Sequence, residues 1–217
     1  MSFEIPILFQ SEEILAVEKP IGISIHNTED AVNLLTVLED QLKVPKLFPV
    51  HRLDKETSGV QLLAMNETAA KKYAEQFQNN LVGKTYVGVL RGVLKAAEGT
   101  WSGALSDKAE GRGNPAGLSK DRVPCETRFR AIKTSKYFTM CEFGLITGRQ
   151  HQIRKHAVIA GHALIGDSRY GDSKYNRRMS EMYDNSRMFL HCQTLGILGE
   201  KFESQLPEDF LSLFAAN

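Results

Sequence analysis

The run Val50-His51-Arg52-Leu53-Asp54-Lys55-Glu56-Thr57-Ser58-Gly59-Val60 sets one carboxylate, Asp54, between the guanidinium of Arg52 and a turn-forming Thr-Ser-Gly. A carboxylate so placed can attack or stabilise an electron-poor carbon and still leave again. Glu56 offers a second acid nearby, and a carboxylate pair is what a glycoside or nucleoside hydrolase uses to protonate a leaving group and deliver water. The bland alternative is a surface ion pair between Arg52 and Asp54. Val50 on one side and Val60-Gln61-Leu62-Leu63-Ala64 on the other read as strand ends, so the charged residues fall on the connecting loop. A loop presented by a rigid sheet is where chemistry is usually placed.

A second polar string is Thr147-Gly148-Arg149-Gln150-His151-Gln152-Ile153-Arg154-Lys155-His156. Thr147 and Gln150 have capping-box spacing and predict a helix start with free amides and a positive dipole end. Arg149 and His151 then stand where phosphate contacts are made. Ile153, Ala157 and Ala160 predict the inward stripe, and Gly161 the cap at the far end. His151, His156 and His162 lack acidic or Cys partners at ligand spacing, so no metal is expected. Gly111-Arg112-Gly113 does not match a dinucleotide fingerprint, and no cofactor is expected.

The surrounding pattern alternates short strands with few helices, which predicts an α+β fold with a largely antiparallel sheet. Strands are expected at Ile5 to Leu8, Ile14 to Val17, Lys84 to Gly92, Cys125 to Ile132, Tyr137 to Ile146 and Phe189 to Leu195. Helices are expected at Ala31 to Leu42, around Lys174 to Tyr183, and from Pro207 onward. The strongest helical period runs from Asn66, a suitable N-cap, to Leu81, with Ala70, Tyr73, Ala74, Phe77 and Leu81 on one face and Gly83 as the stop. Ser106 to Lys120 reads as an irregular basic loop. No repeat or linker divides the chain, so residues 1–217 are expected to form a single catalytic domain.

Hydrophobic content of 42% and charged content of 24% fit a soluble globular protein. No apolar run approaches membrane-spanning length, and the first residues lack the features of a signal peptide. Cys125, Cys141 and Cys192 are widely spaced and contain no C-x-x-C pair, which points to free thiols in a reducing cytoplasm. Net charge is only +1, yet residues 108–136 and 149–178 each carry a net of +5, while residues 1–44 carry −6 and residues 181–217 carry −4. Local fields decide where a polyanion docks, so this layout favours RNA binding by the two basic segments.

The string His51 to Gly59 resembles the HRLD-x-x-TSG motif of the RluA family of pseudouridine synthases, in which the Asp is the single catalytic carboxylate. Thr147 to His156 resembles that family's TGR-x-HQ-[IL]-R-x-H motif, and Lys84-Thr85-Tyr86 its K-x-Y strand. Lys19-Pro20-Ile21-Gly22 and Gly161-His162-Ala163-Leu164-Ile165-Gly166-Asp167 are lesser matches, the latter with Ala163 where the family commonly has Pro. The resemblance runs from about Ile14 to Leu195. It implies the pseudouridine-synthase fold with a catalytic cleft across the sheet, in a small member without the N-terminal RNA-binding domain that some relatives carry.

It further implies isomerisation of uridine to pseudouridine in ribosomal or transfer RNA, by Asp54 with Tyr86 against the uracil and Arg154 paired to Asp54. A nearby guanidinium keeps a carboxylate ionised. Arg52 would fill the space left by a flipped base, with His51, Arg149 and His151 as further RNA contacts. Glu56 falls on a variable position of the motif and reads as a surface charge. Whether Asp54 adds to C1′, adds to the ring or removes a sugar proton stays open. A catalytically idle RNA-binding or chaperone module on the same fold, and the Asp54–Glu56 hydrolase, are the other function classes. RNA discrimination is expected in Ser106–Lys120 and Tyr170–Met188, and a monomer is the default.

Overall fold

A computed structural model describes residues 4–26, 32–145 and 147–215. The chain forms two compact units, one running to Lys84 and including Cys192–Gln205, the other comprising Thr85–His191 and the segment from Leu206. The architecture is α+β, as the sequence predicts.

In the first unit β1 (Ile7–Gln10), β2 (Ile14–Lys19) and β4 (Ser58–Ala64) lie side by side, with antiparallel pairing from Ile14 opposite Ala64 to Lys19 opposite Gly59. The two-residue β3 (Phe48–Pro49) also pairs with β4. All seven residues of β4 are buried. A strand covered on both faces shows no alternation, which is why Val60-Gln61-Leu62-Leu63 reads only as an apolar run.

Helix α1 (Leu34–Leu42) packs Leu34 and Leu38 against Leu15, Val17 and Leu63. It begins at a reciprocal cap between Asn33 and Thr36. The expected start at Ala31 lies outside the described residues.

Helix α2 (Glu67–Gln78) is capped by the Asn66 side chain, which accepts from Ala69 N–H at 2.9 Å, as predicted. Its end differs from expectation. The chain leaves the helix through Asn79 and Asn80, the latter at φ 55°, and Gly83 instead opens the next strand. The buried stripe is also rotated, with Ala69 and Tyr73 enclosed and Leu81 63% exposed, because Leu81 follows the helix instead of extending it.

The chain crosses between units within β5 (Gly83–Arg91) and again within β9 (Leu190–Ile197), and β10 (Glu200–Glu203) pairs with β9. In the second unit β5, β8 (Phe138–Leu145), β7 (Arg122–Thr134) and β6 (Glu98–Ser106) are neighbours in that order. The β6 strand was not expected, since Glu98-Gly99-Thr100 interrupts any apolar alternation; its nine-residue register with β7 supplies the structure instead. Val87, Val89, Phe138, Met140, Phe189 and Phe210 form the core, closed by helices α4 (Ser173–Tyr183) and α5 (Asp209–Ser212).

Helix α3 (Gln152–Ile159) has its N-cap at His151, four residues after the predicted Thr147. Thr147 is not the cap: its hydroxyl donates to the Gln152 side chain, at Oε1 and 2.8 Å, Arg149 N–H donates to the same oxygen at 3.1 Å, and no side chain caps the helix start. His151 then turns the chain at φ 56° before the helix begins. Ile153 and Ala157 are buried as expected, Ala160 is exposed, and Gly161 ends the helix at φ 82°.

Candidate active site

Asp54 heads a tight turn in the first unit. Thr57 N–H closes it by donating to the Asp54 carbonyl at 3.0 Å. Behind the turn the ammonium of Lys19, 0% exposed, donates to the carbonyls of Thr57 at 2.7 Å, Pro20 at 2.9 Å and Lys55 at 3.3 Å. Gly22 N–H also donates to the Lys55 carbonyl, at 2.8 Å. The Lys19-Pro20-Ile21-Gly22 segment, noted in the sequence without a role, is therefore the clasp on the turn. A buried ammonium is tolerable only with such a set of acceptors, so the cation and the turn specify one another.

The preceding residues are fixed as firmly. Gln61 donates from Nε2 to the His51 carbonyl at 3.0 Å and accepts Leu53 N–H at 3.2 Å. His51 Nε2 accepts Leu62 N–H at 2.9 Å, and its ring stacks on Phe77 with centroids 4.6 Å apart. Burial, aided by the nearby Lys84 cation, pushes the His51 pKa down to about 3. An imidazole held neutral, with that nitrogen committed to a backbone donor, braces the turn; as the expected RNA contact it brings no positive charge.

Gly59 sits at φ 108°, where a Cβ would stand 2.1 Å from the Cys192 carbonyl oxygen. Glycine is thus the residue that lets β4 leave the turn beneath that backbone. Asp54 itself is half-buried, Glu56 likewise, and Arg52 is exposed.

The second unit carries the other predicted residues. Tyr86 lies within β5, 8% exposed. Arg154, 2% exposed on α3, makes a two-pronged pair with Asp167, 1% exposed: Nε to Oδ2 and Nη2 to Oδ1, both at 2.9 Å. Asp167 Oδ1 also accepts the backbone N–H groups of Arg169 at 2.9 Å and Tyr170 at 3.0 Å. The Arg154 guanidinium lies over the Tyr170 ring at 5.4 Å, and Tyr170 OH is 2.9 Å from His151 Nδ1. Asp167 as a partner of Arg154 was missed by sequence reasoning. Thirteen residues separate the two, and a Gly-Asp pair after a helix ordinarily signals only a turn.

Two flanking residues anchor α3. Lys155, 0% exposed, donates to the carbonyls of Ser106 at 2.9 Å and Lys108 at 2.7 Å, tying down the start of the basic loop. His156 shares a hydrogen bond with Thr127 Oγ1 at 2.9 Å, and burial lowers its pKa to about 4. The amides expected to be free ahead of the helix are partly used, since Gln150 N–H donates to Asp107 Oδ1 at 2.8 Å. Arg149 reaches the same carboxylate at 3.8 Å, while its buried Nε has no hydrogen-bond partner among the described residues. The predicted residues thus form two groups, each on its own unit: His51, Arg52 and Asp54 on one turn; Arg149, His151 and Arg154 around the start of α3, with Tyr86 on β5.

Residues 13–158, a span containing Asp54, Tyr86 and Arg154, match the family model for RNA pseudouridylate synthase. The chain belongs to that family, whose members isomerise uridine to pseudouridine in RNA.

The chain is 32% identical over 208 residues to tRNA pseudouridine synthase C of Haemophilus ducreyi, covering 88% of this chain and 84% of that protein. It is 30% identical over 213 residues to ribosomal large subunit pseudouridine synthase C of Escherichia coli, covering 94% of this chain and 66% of that one. Among solved structures, human RNA pseudouridylate synthase domain containing 1 superposes with a TM-score of 0.78 at 25% identity, covering 98% of this chain and 87% of that chain. Human RNA pseudouridylate synthase domain containing 4 reaches 0.80 at 22% identity, over 95% and 90% of the two chains, a likeness of fold. These relatives favour neither the idle RNA-binding module nor the hydrolase. No helix among the described residues is long and apolar enough to cross a membrane.

Proposed function

We propose that this protein converts uridines of transfer RNA or large-subunit ribosomal RNA to pseudouridine with Asp54 as its one catalytic carboxylate. The observation that carries the reading is the Asp54 turn, inside the family match and held from behind by Lys19. The N1–C1′ bond breaks, the uracil turns while still bound, and C5 bonds to C1′. C5 then loses its proton and N1 gains one. No water attacks and the base is never released, so a second carboxylate is not required.

The uridine must leave its stack, at a cost of a few kcal/mol. Tyr86 meets the extruded ring, and such stacking is worth about 1–3 kcal/mol per base, which offsets much of that cost. Arg154 serves the reaction as a helix-borne cation, Arg52 fills the vacated place in the RNA, and Arg149 and His151 contact the strand. His51 belongs to this set as the brace of the turn. The protein works as a monomer in the cytoplasm, in keeping with three buried free thiols.

The test uses RNA carrying tritium at uracil C5. Asp54→Ala should abolish tritium release while RNA affinity stays near that of the unsubstituted protein. Release of label by this variant would remove Asp54 from the mechanism, and free uracil among the products would revive the hydrolase. Mapping pseudouridines in RNA from cells lacking the protein identifies the substrate.

A further inference from the structure

Arg154 carries more of its binding capacity into the protein than the motif implies. Two of its three guanidinium nitrogens are spent on Asp167, in the parallel two-bond geometry that fixes both the position and the plane of the group. Asp167 is fixed in turn. Its Oδ1 takes two backbone N–H groups besides the guanidinium, and its own backbone N–H and C=O are used by Leu164 and by Asn176 and Gly171. Tyr170 then covers one face of the guanidinium and reaches on to His151. Gly166, immediately before Asp167, sits at φ 77° with the Arg187 carbonyl 1.9 Å from where a Cβ would be. The segment therefore has a single course. A carboxylate that needs only charge neutralisation does not require such an arrangement at both atoms.

We propose that Asp167 is the positioning residue for Arg154: it sets the orientation in which the guanidinium acts in the reaction. The inference rests on the reading above that Arg154 acts in the reaction. Asp167 touches neither substrate nor reacting atoms and acts through the guanidinium alone. A small rotation of a group that must meet a developing charge is enough to lower turnover without altering how RNA is held.

The experiment uses the full chain and a mixed transcript pool of transfer and large-subunit ribosomal RNA labelled with tritium at uracil C5. Asp167→Asn keeps the shape and the acceptor for the two backbone N–H groups while removing the charge. Its single-turnover rate should fall on the order of 10²-fold with RNA affinity within about twofold, the scale expected of a misplaced catalytic group. Should Asp167→Asn fail to fold, guanidinium rescue provides the second measurement. Arg154→Ala should lose activity and regain part of it in millimolar guanidinium chloride, because Asp167 still forms the seat for that ion. Arg154→Ala combined with Asp167→Asn, which carries no unpaired buried charge, should show no rescue.

Equal rescue of the single and double variants, or an Asp167→Asn protein that turns over like the parent, would overturn the inference while leaving Arg154 in the reaction. Full activity of Arg154→Ala without added guanidinium would overturn both it and the reading beneath it.

Discussion

The ammonium nitrogen of Lys19 lies 2.7 Å from the carbonyl oxygen of Thr57, and the same nitrogen holds Lys55, so one buried cation binds two carbonyls of the turn that Asp54 heads. The candidate catalytic carboxylate thus owes its place to a side chain on β2, paired with the strand that follows the turn.

Lys19→Met keeps the length of the side chain and removes the donor. Loss of the hydrogen bonds to buried carbonyls should destabilise the fold by about 1–3 kcal/mol. Urea denaturation should show a lower midpoint with an unchanged slope, and turnover should drop more than RNA affinity. An unaltered midpoint would mean that the clasp contributes nothing to the fold.

Gly59→Ala and Gly22→Ala separate strain from collision. Both positions have positive φ, at 108° and 82°, but only Gly59 has backbone within reach of an added Cβ. Gly22→Ala should cost about 1–2 kcal/mol, the left-handed penalty alone. Gly59→Ala should cost more and is expected to accumulate little folded protein. Equal shifts in thermal midpoint would contradict the packing of β4 beneath Cys192.

His51 and His156 make stability fall in mild acid. Both have pKa values lowered by burial, to about 3 and about 4, from the ordinary 6.5 of the unfolded chain. A lowered folded pKa means that protons bind the unfolded chain first. Their stabilisation is therefore complete above pH 6.5 and is lost as the pH falls from there toward the folded values. Thermal midpoints taken across that interval should decline, and the decline should be shallower in His156→Gln. Parallel curves for the two proteins would show that His156 binds its proton as readily in the fold as in the unfolded chain.

Removing Arg154 should be felt in stability as well as activity. Arg154→Ala leaves Asp167 a buried charge without its main partner, at a cost of about 3–5 kcal/mol. Removing both charges while keeping the acceptor for the two backbone N–H groups, Arg154→Met with Asp167→Asn, should recover most of that loss and none of the activity. If the double variant melts as low as the single one, the pair is not the source of the cost.

RNA affinity should weaken steeply with salt, since the basic segments act through phosphate neutralisation. Arg149, half-buried ahead of α3, is the arginine proposed to contact the strand. Arg149→Ala should reduce the slope of log affinity against log salt by about 1, the share of one neutralised phosphate. An unchanged slope would take Arg149 off the phosphate backbone.

The residue order alone carried the chemistry-bearing groups. The family was legible because the motif residues around Asp54, Tyr86 and Arg154 are close in sequence, and α2 was legible at Asn66 because a cap and an apolar period are local signals. The helix start at Thr147 misled for an equally local reason. Thr147 and Gln150 have the spacing of a capping box, but Gln152 takes the Thr147 hydroxyl and also donates to the Glu126 carbonyl on a neighbouring strand. A contact to another strand leaves no trace in helical spacing.

What only the tertiary structure decided is how those groups are held. Lys19 clasps a turn 36 residues away, Asp167 fixes the Arg154 guanidinium, and burial makes His51 a neutral brace instead of a cation. Residue types and short spacings specify which groups are present and which local shapes they favour. Charge state, orientation and rigidity depend on desolvation and on hydrogen-bond partners from remote segments, and these exist only once the chain has folded.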